Sequence, residues 1–258
     1  MSSKLTIREL DLYSRQTKLS NFSIKQQEHL KNARVAIIGL GGLGSNSAML
    51  LTAMGVGQFR LIDRDVVELS NLPRSPLYHP SDLKKYKAEV AECRLKDLNP
   101  SVELEIHTKE FGRNNARSLL EDVDAVVDGL DRFVSRMLVN QYCKDLKIPF
   151  IFAGIVGTAA NLSTFLYDEG PCLSCIFGVV KDSELPTSET VGVHTPAVVI
   201  AASIQASEAV RILTGLPPVL DGKILYIDLE TLSFDQINIG RRENCDVCAA
   251  SFAKRSIE

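Results

Sequence analysis

A glycine-rich turn is the part of this sequence whose residue types and spacing are best suited to chemistry. The apolar run Val35–Ile38 leads into Gly39, Gly41, Gly42 and Gly44, and a run of small residues typical of a helix follows. Glycines let the backbone turn tightly and approach a phosphate closely, and the free N–H groups at a helix start favour an anion. A strand before the turn and a helix after it are the context that a GxGxxG pattern requires. We therefore predict a nucleotide phosphate site here, with the choice of nucleotide left open.

Two acidic residues follow the next apolar run, Phe59–Ile62. An acidic side chain at the end of the strand after a glycine turn can accept hydrogen bonds from the ribose hydroxyls of a nucleotide. Asp63 or Asp65 fits this role, and a solvated aspartate at a strand end is the alternative. Up to this point an NAD dehydrogenase and an ATP-using enzyme have the same pattern.

A carboxamide, three basic side chains and another acid lie farther along the chain, namely Asn71, Arg74, Lys87, Arg136 and Asp131. In a doubly wound sheet, residues at the carboxyl ends of neighbouring strands converge on the ligand crevice, which places Asp131 near the glycine turn. Basic groups with a carboxylate suit a triphosphate and Mg²⁺. Taken singly, each arginine or lysine has the alternative of being an ordinary surface charge.

Two Cys-x-x-Cys pairs indicate a metal site. They are formed by Cys172, Cys175, Cys245 and Cys248. In a cytoplasmic protein, four thiolates favour one tetrahedral, structural zinc over disulfides, and a redox pair is the alternative. The remaining cysteines, Cys93 and Cys143, fall on helical patterns and are predicted to be buried packing residues.

These residues need a scaffold, and the hydrophobic pattern predicts an α/β protein. Apolar or β-rich runs at Val35–Ile38, Phe59–Ile62, Val102–Ile106, Ala125–Val127 and Phe150–Phe152 alternate with helical patterns that include Lys84–Leu98, Ala116–Glu121 and Arg136–Leu146. Such alternation predicts a doubly wound, mostly parallel sheet with helices on both faces. After Gly157, a long helix from Ala197 to Leu213 and strand-like runs near Asn161–Leu166, Leu225–Ile227 and Ser233–Ile237 predict additional antiparallel strands.

Composition excludes some classes of function. The chain has 258 residues, with 29 basic and 32 acidic side chains and a net charge of −3, so no global attraction to nucleic acid or to a membrane is expected. The first residues lack an apolar signal core, and the apolar run around Ala197 to Ala202 is too short to span a bilayer. These features predict a cytoplasmic protein.

Together the motifs resemble the ThiF/MoeB/HesA family of adenylyltransferases, relatives of ubiquitin-activating enzymes. The resemblance runs from about Tyr13 to Cys248 and includes the glycine motif, both cysteine pairs and the segments Tyr13–Gln16, Asp63–Arg74, Lys87–Ala88, Val126–Asp131 and Ala153–Gly157. It implies a Rossmann-like fold and the adenylation, by Mg-ATP, of the C-terminal glycine carboxylate of a small ubiquitin-fold protein that ends in Gly-Gly. Pyrophosphate is the expected product.

The resemblance also implies a role for each matching position. Asp63 would hold the ribose, Asn71, Arg74 and Lys87 would contact the phosphates, and Asp131 would organise magnesium. Arg15 matches the arginine that reaches into the partner subunit's site, which implies a homodimer. Four residues, Arg15, Arg74, Lys87 and Asp131, are thus the candidate catalytic set.

The sequence contains no internal repeat, low-complexity tract or obvious linker, and this pattern together with the resemblance divides the chain. Residues 1–258 would form a single adenylation domain, with an N-terminal helical arm (1–30), a nucleotide-binding half (31–157) and a carrier-binding half with a zinc site (158–258). A crossover loop, residues 181–195, would cover the carrier tail.

Three positions depart from the family pattern. Ser188 stands where many relatives have a cysteine, so a thioester or acyl-disulfide is not expected there. Ser75 and Arg132 stand where relatives often have Gln and Asn. His194, in the crossover loop, is either a contact for the carrier tail or a plain loop residue.

Three other functions remain open at this point: activation of another carboxylate or a tRNA-linked group, NAD-dependent oxidoreduction, and noncatalytic nucleotide binding. The acidic balance of charge and the zinc-type cysteines count against tRNA.

Overall fold

The computed structural model describes residues 4–167, 169–178, 180 and 182–248. Eight strands form one sheet in the order β3-β2-β1-β4-β5-β6-β7-β8. Their bounds are β1 Arg34–Ile38, β2 Gln58–Ile62, β3 Glu103–His107, β4 Ala125–Asp128, β5 Phe150–Val156, β6 Ala159–Phe165, β7 Lys223–Asp228 and β8 Ser233–Asn238. The predicted sheet, parallel in its first half with antiparallel C-terminal strands, is confirmed.

Eight α-helices accompany these strands in the described residues: α1 Ile7–Leu12, α2 Ile24–Asn32, α3 Gly42–Met54, α4 Lys87–Leu98, α5 Ala116–Leu120, α6 Phe133–Leu146, α7 Leu173–Phe177 and α8 Thr195–Leu213. Thr6 and Ser23 begin α1 and α2 with complete capping boxes. Because these caps satisfy free backbone N–H groups, they fix where the helices of the arm begin.

The order of the strands places a crevice at β1. Strand β1 pairs in parallel with β2 on one side and with β4 on the other. The chain therefore leaves β1 through α3, builds β2 and β3 on one side, and then returns to build β4 and β5 on the other. In open α/β sheets, ligands bind outside the carboxyl ends of the strands at such a switch point.

Both faces of the sheet are covered. On one face, Val35, Ile37 and Leu61 pack with buried residues of α3, α4 and α8. On the other face, Ala36 and Ile38 pack with buried residues of α5, α6 and α7. Side chains alternate across a strand, so a continuous apolar run such as β1 supplies both layers.

Helix α8 lies against the core. Ala201 and Ala202 are buried beside Leu162 and Ile227 of the antiparallel strands. By length and composition alone α8 could cross a membrane, and it is the one helix of the described residues that passes this test, but half of the tested window is buried inside the fold. A half-buried position against α3 and β5 is that of a core helix.

The main difference from the predicted elements is at α4. The sequence pattern predicts a helix from Lys84, but the helix begins at Lys87. Lys84 has a φ of 67°, which a helix excludes, and Val66 forms a bridge to Tyr86. Lys84, Lys85 and Tyr86 therefore lie in a loop before the helix.

Candidate active site

The glycine turn is packed so tightly that two of its glycines have no room for a side chain. A Cβ on Gly44 would lie 1.9 Å from the carbonyl oxygen of Gly39, and a Cβ on Gly39 would lie 2.4 Å from that of Gly129. Gly39 also has a φ of +87°, which favours glycine. At Gly41 a Cβ would meet nothing within 4 Å. The turn therefore presents an open backbone surface at the start of α3, as a phosphate requires.

Asp63 lies directly beneath this turn. Its Oδ2 accepts from the backbone N–H of Leu40 (2.6 Å), and its Oδ1 accepts from that of Asp65 (2.7 Å). Burial raises the pKa of Asp63, and the charge of nearby Lys87 opposes that rise. A carboxylate has about four lone-pair positions, so two remain for other donors.

Tyr78 holds the turn from the other side. Its hydroxyl donates to the carbonyl of Leu40 (2.7 Å). Burial raises the pKa of Tyr78 well above its usual value, so the phenol keeps its proton and remains a donor.

Lys87 is buried at the first turn of α4 and points to Asp65. Its Nζ lies 3.1 Å from Oδ2 of Asp65. The aspartate is half exposed, whereas only 9% of the lysine side chain is exposed. The structure therefore separates the two aspartates that the sequence left as alternatives: Asp63 supports the glycine turn, and Asp65 holds the lysine.

A short turn carries Arg74 to the start of α3. Asn71 is buried in this turn, and its Oδ1 accepts from the N–H of Glu68 (3.1 Å). The stem of Arg74 lies over Gly42, because a Cβ on that glycine would be 3.2 Å from Cγ of Arg74. Its Nη1 donates to the carbonyl of Ser70 (2.6 Å).

The turn after β4 brings Asp131 next to the glycine turn. Gly129 donates to the carbonyl of Ile38 (2.8 Å), and a Cβ on Gly129 would lie 2.1 Å from the carbonyl oxygen of Gly39. Two residues later, Asp131 is exposed. Within the described part of the chain, no hydrogen bond or ion pair involves its carboxylate, so both oxygens can take a ligand.

Arg136 shapes this turn from below. It is buried, its Nε donates to Oδ2 of Asp128 (2.8 Å), and its Nη2 donates to the carbonyls of Leu130 (2.5 Å) and Ala153 (3.0 Å). Burial raises the pKa of Asp128, and the adjacent guanidinium opposes that rise. Arg136 is thus neither a surface charge nor a group that faces the crevice, and the sequence prediction that grouped it with the phosphate-binding residues was wrong in this respect.

Two buried carboxamides that sequence reasoning missed support the same site. Asn46 donates through Nδ2 to the carbonyls of Gly42 (2.6 Å) and Arg74 (3.0 Å). Gln205, on α8, donates to the carbonyls of Asp128 (3.0 Å) and Ile151 (3.1 Å). A polar residue amid small apolar ones on a long helix was the signal available in the sequence for Gln205.

Arg15 is the one member of the candidate catalytic set that lies far from the others in this chain. Its neighbour Gln16 donates to the carbonyl of Met54 (2.9 Å), and a Cβ on Gly55 would lie 2.8 Å from the hydroxyl oxygen of Tyr13. These contacts hold the arm at the C-terminal end of α3, whereas the glycine turn is at its N-terminal end. A helix of this length separates its ends by about 20 Å.

The four cysteines of the two pairs form one cluster. Their sulfur atoms lie within 4.8 Å of one another. The Sγ–Sγ distances are 3.9 Å between Cys172 and Cys175 and 3.6 Å for both Cys172–Cys245 and Cys175–Cys248. Four thiolates about 2.3 Å from a tetrahedral zinc are about 3.8 Å apart. The spacing therefore fits zinc and is too wide for a disulfide.

Two smaller expectations have different outcomes. Cys143 is buried as predicted, but Cys93 is exposed on α4. That prediction was wrong because Cys93 falls on the outer face of the helix.

His194 is exposed and donates its backbone N–H to the carbonyl of Gly157 (2.8 Å), so it anchors the crossover loop through the backbone. Residue 181, the first of that loop, lies outside the described residues.

Comparison with known proteins identifies the family of this chain. The model of the ThiF family matches residues 13–247. This chain belongs to the ThiF family. The match includes the glycine turn, the segment that carries Arg74, the turn before α6 and three of the four clustered cysteines.

Relatives and solved structures agree with this membership. The chain is 37% identical over 240 residues to "Adenylyltransferase and sulfurtransferase MOCS3" of Drosophila ananassae, covering 92% of this chain and 53% of that protein. It is 35% identical to the "Sulfur carrier protein adenylyltransferase" of Thermus thermophilus, covering 98% of this chain and 95% of that protein. The chain thus spans about half the length of the MOCS3 relatives and nearly all of the Thermus relative.

A solved structure of E. coli MccB with ATP has the same fold. Its TM-score is 0.81 and its sequence identity is 25%, and the match covers 92% of this chain and 73% of that one. A structure titled "Crystal Structure of SeMet PaaA" has a TM-score of 0.76 at 27% identity, with 94% of this chain and 77% of that one covered.

Proposed function

We propose that this protein is an adenylyltransferase that uses Mg-ATP to activate the C-terminal glycine carboxylate of a ubiquitin-fold carrier, with release of pyrophosphate. The observation that carries the proposal is the convergence of the glycine turn, Asp63, Arg74 and Asp131 at the carboxyl ends of β1, β2 and β4. The Thermus relative, which this chain matches over 95% of its length, is named for the adenylation of a sulfur carrier.

ATP would bind along the crevice. The open backbone at Gly41 would face the phosphates, and the free lone pairs of Asp63 would accept from the ribose hydroxyls. Arg74 already lies over the first turn of α3, and Lys87 is held at 3.1 Å from Asp65. In this proposal the ammonium moves from Asp65 to a phosphate when ATP binds, and Nδ2 of Asn71 is a further donor.

Asp131 would hold the magnesium ion. Mg²⁺ commonly takes one or two carboxylates together with substrate phosphates, and Asp131 is exposed with both oxygens available. When bound, the ion would neutralise charge on the triphosphate. Asp131 can bind the ion only if it projects from a fixed turn. The ion pair between Nε of Arg136 and Oδ2 of Asp128 (2.8 Å) fixes that turn.

The residues suit this reaction because it needs alignment more than proton transfer. A carboxylate is already ionised at neutral pH, so its attack on the α-phosphate requires no general base. The requirement is to hold two anionic reactants together and to stabilise the charge that develops. Arginine, lysine and a metal-binding aspartate meet it without a histidine or serine nucleophile.

Further parts of the proposal concern the carrier and the assembly. The tail of the carrier, ending in Gly-Gly, would run beneath the crossover loop of the 158–258 half toward the nucleotide-binding half, within the single domain 1–258. Ser188 offers no thiolate, so adenylation would proceed without a covalent carrier intermediate at that position.

Arg15 would complete the site of a second subunit in a homodimer, since it lies at the opposite end of α3 from its own glycine turn. We place the protein in the cytoplasm, without nucleic acid or membrane partners.

Arg74→Ala and Asp131→Ala test the assignment of the site. Each is expected to reduce ATP–pyrophosphate exchange by about 100-fold or more, because charge stabilisation by a single group is commonly that large. Circular dichroism and thermal unfolding should remain close to those of the unmodified protein, since both side chains are outside the core.

Exposed residues provide matched controls. Arg117→Ala removes an exposed arginine on α5, and Asp97→Ala removes an exposed aspartate on α4. Both should exchange at the unmodified rate. Folded Arg74 and Asp131 variants that retain full exchange would refute the site.

A further inference from the structure

The N-terminus of α6 is capped from outside its own segment. Helix α6 begins at Phe133, directly after Asp131 and Arg132, and Arg132 at the N-cap makes no side-chain hydrogen bond to the helix. Instead, Oδ1 of Asp182 accepts from the backbone N–H of Val134 at 3.0 Å. Val134 is the second residue of the helix, which is a position that an N-cap side chain usually serves.

The residue at 132 explains why an outside cap is needed. Serine, threonine, aspartate and asparagine are the favoured N-cap residues because a short side-chain oxygen reaches the free N–H groups of the first turn. Arginine has only donors and cannot accept from a backbone N–H. The sequence Asp131-Arg132 therefore leaves the turn that carries Asp131 without a local cap.

Helix α7, which precedes the crossover loop, packs against α6. Phe177, at the end of α7, packs edge-on against Phe133 with ring centroids 5.2 Å apart, and it also packs against Phe152. Asp182 follows five residues later at the start of the crossover loop. The loop's other end reaches the nucleotide site as well, because Oγ1 of Thr195 donates to the carbonyl of Pro73 (3.2 Å), which precedes Arg74.

We propose that Asp182 is a positioning residue: its cap on α6 fixes the turn that aims Asp131, and so couples the crossover loop to the magnesium-binding carboxylate. The role assigned to Asp131 rests on the proposed function. The carboxylate also suits this place electrostatically, since a negative charge is stabilising at a helix N-terminus.

The test has two readouts, neither of which requires turnover. Hydrogen exchange measures protection of the Val134 amide, and calorimetry measures how the affinity for ATP depends on Mg²⁺ concentration. In Asp182→Ala, the Val134 amide should exchange about fivefold faster, because loss of an N-cap typically has an effect of this size. The Mg²⁺ concentration that gives half of the full ATP affinity should rise by a similar factor.

Three other variants separate positioning from general destabilisation. Asp182→Asn keeps an Oδ1 acceptor but loses the charge, so it should retain most of the Val134 protection and lie closer to the unmodified protein than to Asp182→Ala. Arg132→Asn combined with Asp182→Ala supplies a local cap and should restore both readouts. Asp124→Ala is the matched control, because Oδ2 of Asp124 accepts from the N–H of Arg34 (2.8 Å) at the opposite end of the sheet. It should lower thermal stability without changing the Mg²⁺ dependence.

The outcomes distinguish this inference from the proposed function. Unchanged Val134 protection or unchanged Mg²⁺ dependence in Asp182→Ala would overturn the positioning role, and so would a double variant that stays as unprotected as Asp182→Ala. An absence of ATP–pyrophosphate exchange in the unmodified protein would instead contradict the proposed adenylation. The protection of the Val134 amide and the Mg²⁺ dependence of ATP affinity would still test the role of Asp182.

Discussion

At the scale of single residues, two aspartates in comparable places have different surroundings. Asp63 follows β2 and Asp128 ends β4, so both lie at the carboxyl edge of the sheet. Asp128 is fully buried and is held by Arg136, whereas Asp63 accepts from the backbone N–H groups of Leu40 and Asp65. Strand ends of this kind look alike in a sequence. The partner decides the role, and the partner of Asp128 is supplied by the helix that follows.

Arg136→Met tests the structural role of that pair. Removing the guanidinium leaves Asp128 buried and unpaired, which typically lowers the free energy of unfolding by about 3–5 kcal/mol. Urea unfolding should show this loss. The double variant Asp128→Asn with Arg136→Met should lose less than the single variant, because no charge remains buried. Equal losses would show that the pair is not coupled.

At the scale of elements, the glycine turn was predictable from sequence, but its tolerance of side chains was not. The strand, turn and helix follow from the residues around Gly39 to Gly44. Which glycines are crowded depends on the carbonyls of Gly39 and Gly129, and Gly129 is about 90 residues away in the chain. Contacts of this kind arise only when β4 pairs with β1.

Gly44→Ala and Gly41→Ala form a matched pair for this turn. A Cβ at position 44 would lie 1.9 Å from a carbonyl oxygen, whereas one at 41 would meet nothing within 4 Å. Without nucleotide, thermal unfolding of Gly44→Ala should show a loss of several kcal/mol, and Gly41→Ala should stay within about 1 kcal/mol of the unmodified protein. Equal thermal stability of the two variants would contradict the packing described here.

Element boundaries were predictable where hydrophobic periodicity continues and failed where the backbone changes conformation. The residues of α6 and α8 were predicted except for their first turns, because Phe133 and Thr195 begin those helices outside the periodic run. The start of α4 was missed because the polar residues from Lys84 to Tyr86 fit a helical pattern but lie in a loop. Long-range caps, such as Asp182 on α6, leave no local signal.

At the scale of the whole molecule, the cysteine cluster joins distant parts of the chain. Cys172 and Cys175 flank the start of α7, and Cys245 and Cys248 close the described residues, 73 positions later. The sequence was sufficient to predict that these four cysteines lie together, because two Cys-x-x-Cys pairs in one chain have the spacing typical of a single zinc site. A four-thiolate zinc has no open position for water, so its role would be structural.

Zinc content provides the corresponding prediction. Metal analysis of the purified protein should find about one zinc per chain. Cys245→Ser should lose the metal and lower the thermal unfolding temperature, because the C-terminal segment loses its link to α7. Cys93→Ser changes an exposed cysteine outside the cluster, so this variant should keep both the zinc and the unfolding temperature of the unmodified protein. Full zinc in Cys245→Ser would exclude the four-cysteine site.

The role proposed for Arg15 in a second subunit was the least accessible to sequence reasoning about one chain. Arg15 was singled out by resemblance, but its own chain holds it at the far end of α3, beside Met54 and Gly55. A composite site depends on a surface that a single chain does not contain. The nucleotide crevice, by contrast, is built on one sheet.

The most direct test of the account is ATP–pyrophosphate exchange by the purified protein with candidate ubiquitin-fold carriers from the same organism. Each carrier would be assayed intact and with its terminal glycine removed. We predict exchange that requires both an intact carrier and Mg²⁺. Measurable ATP binding without exchange for any carrier would contradict adenylation of such a carboxylate, and would favour either another carboxylate substrate or noncatalytic nucleotide binding.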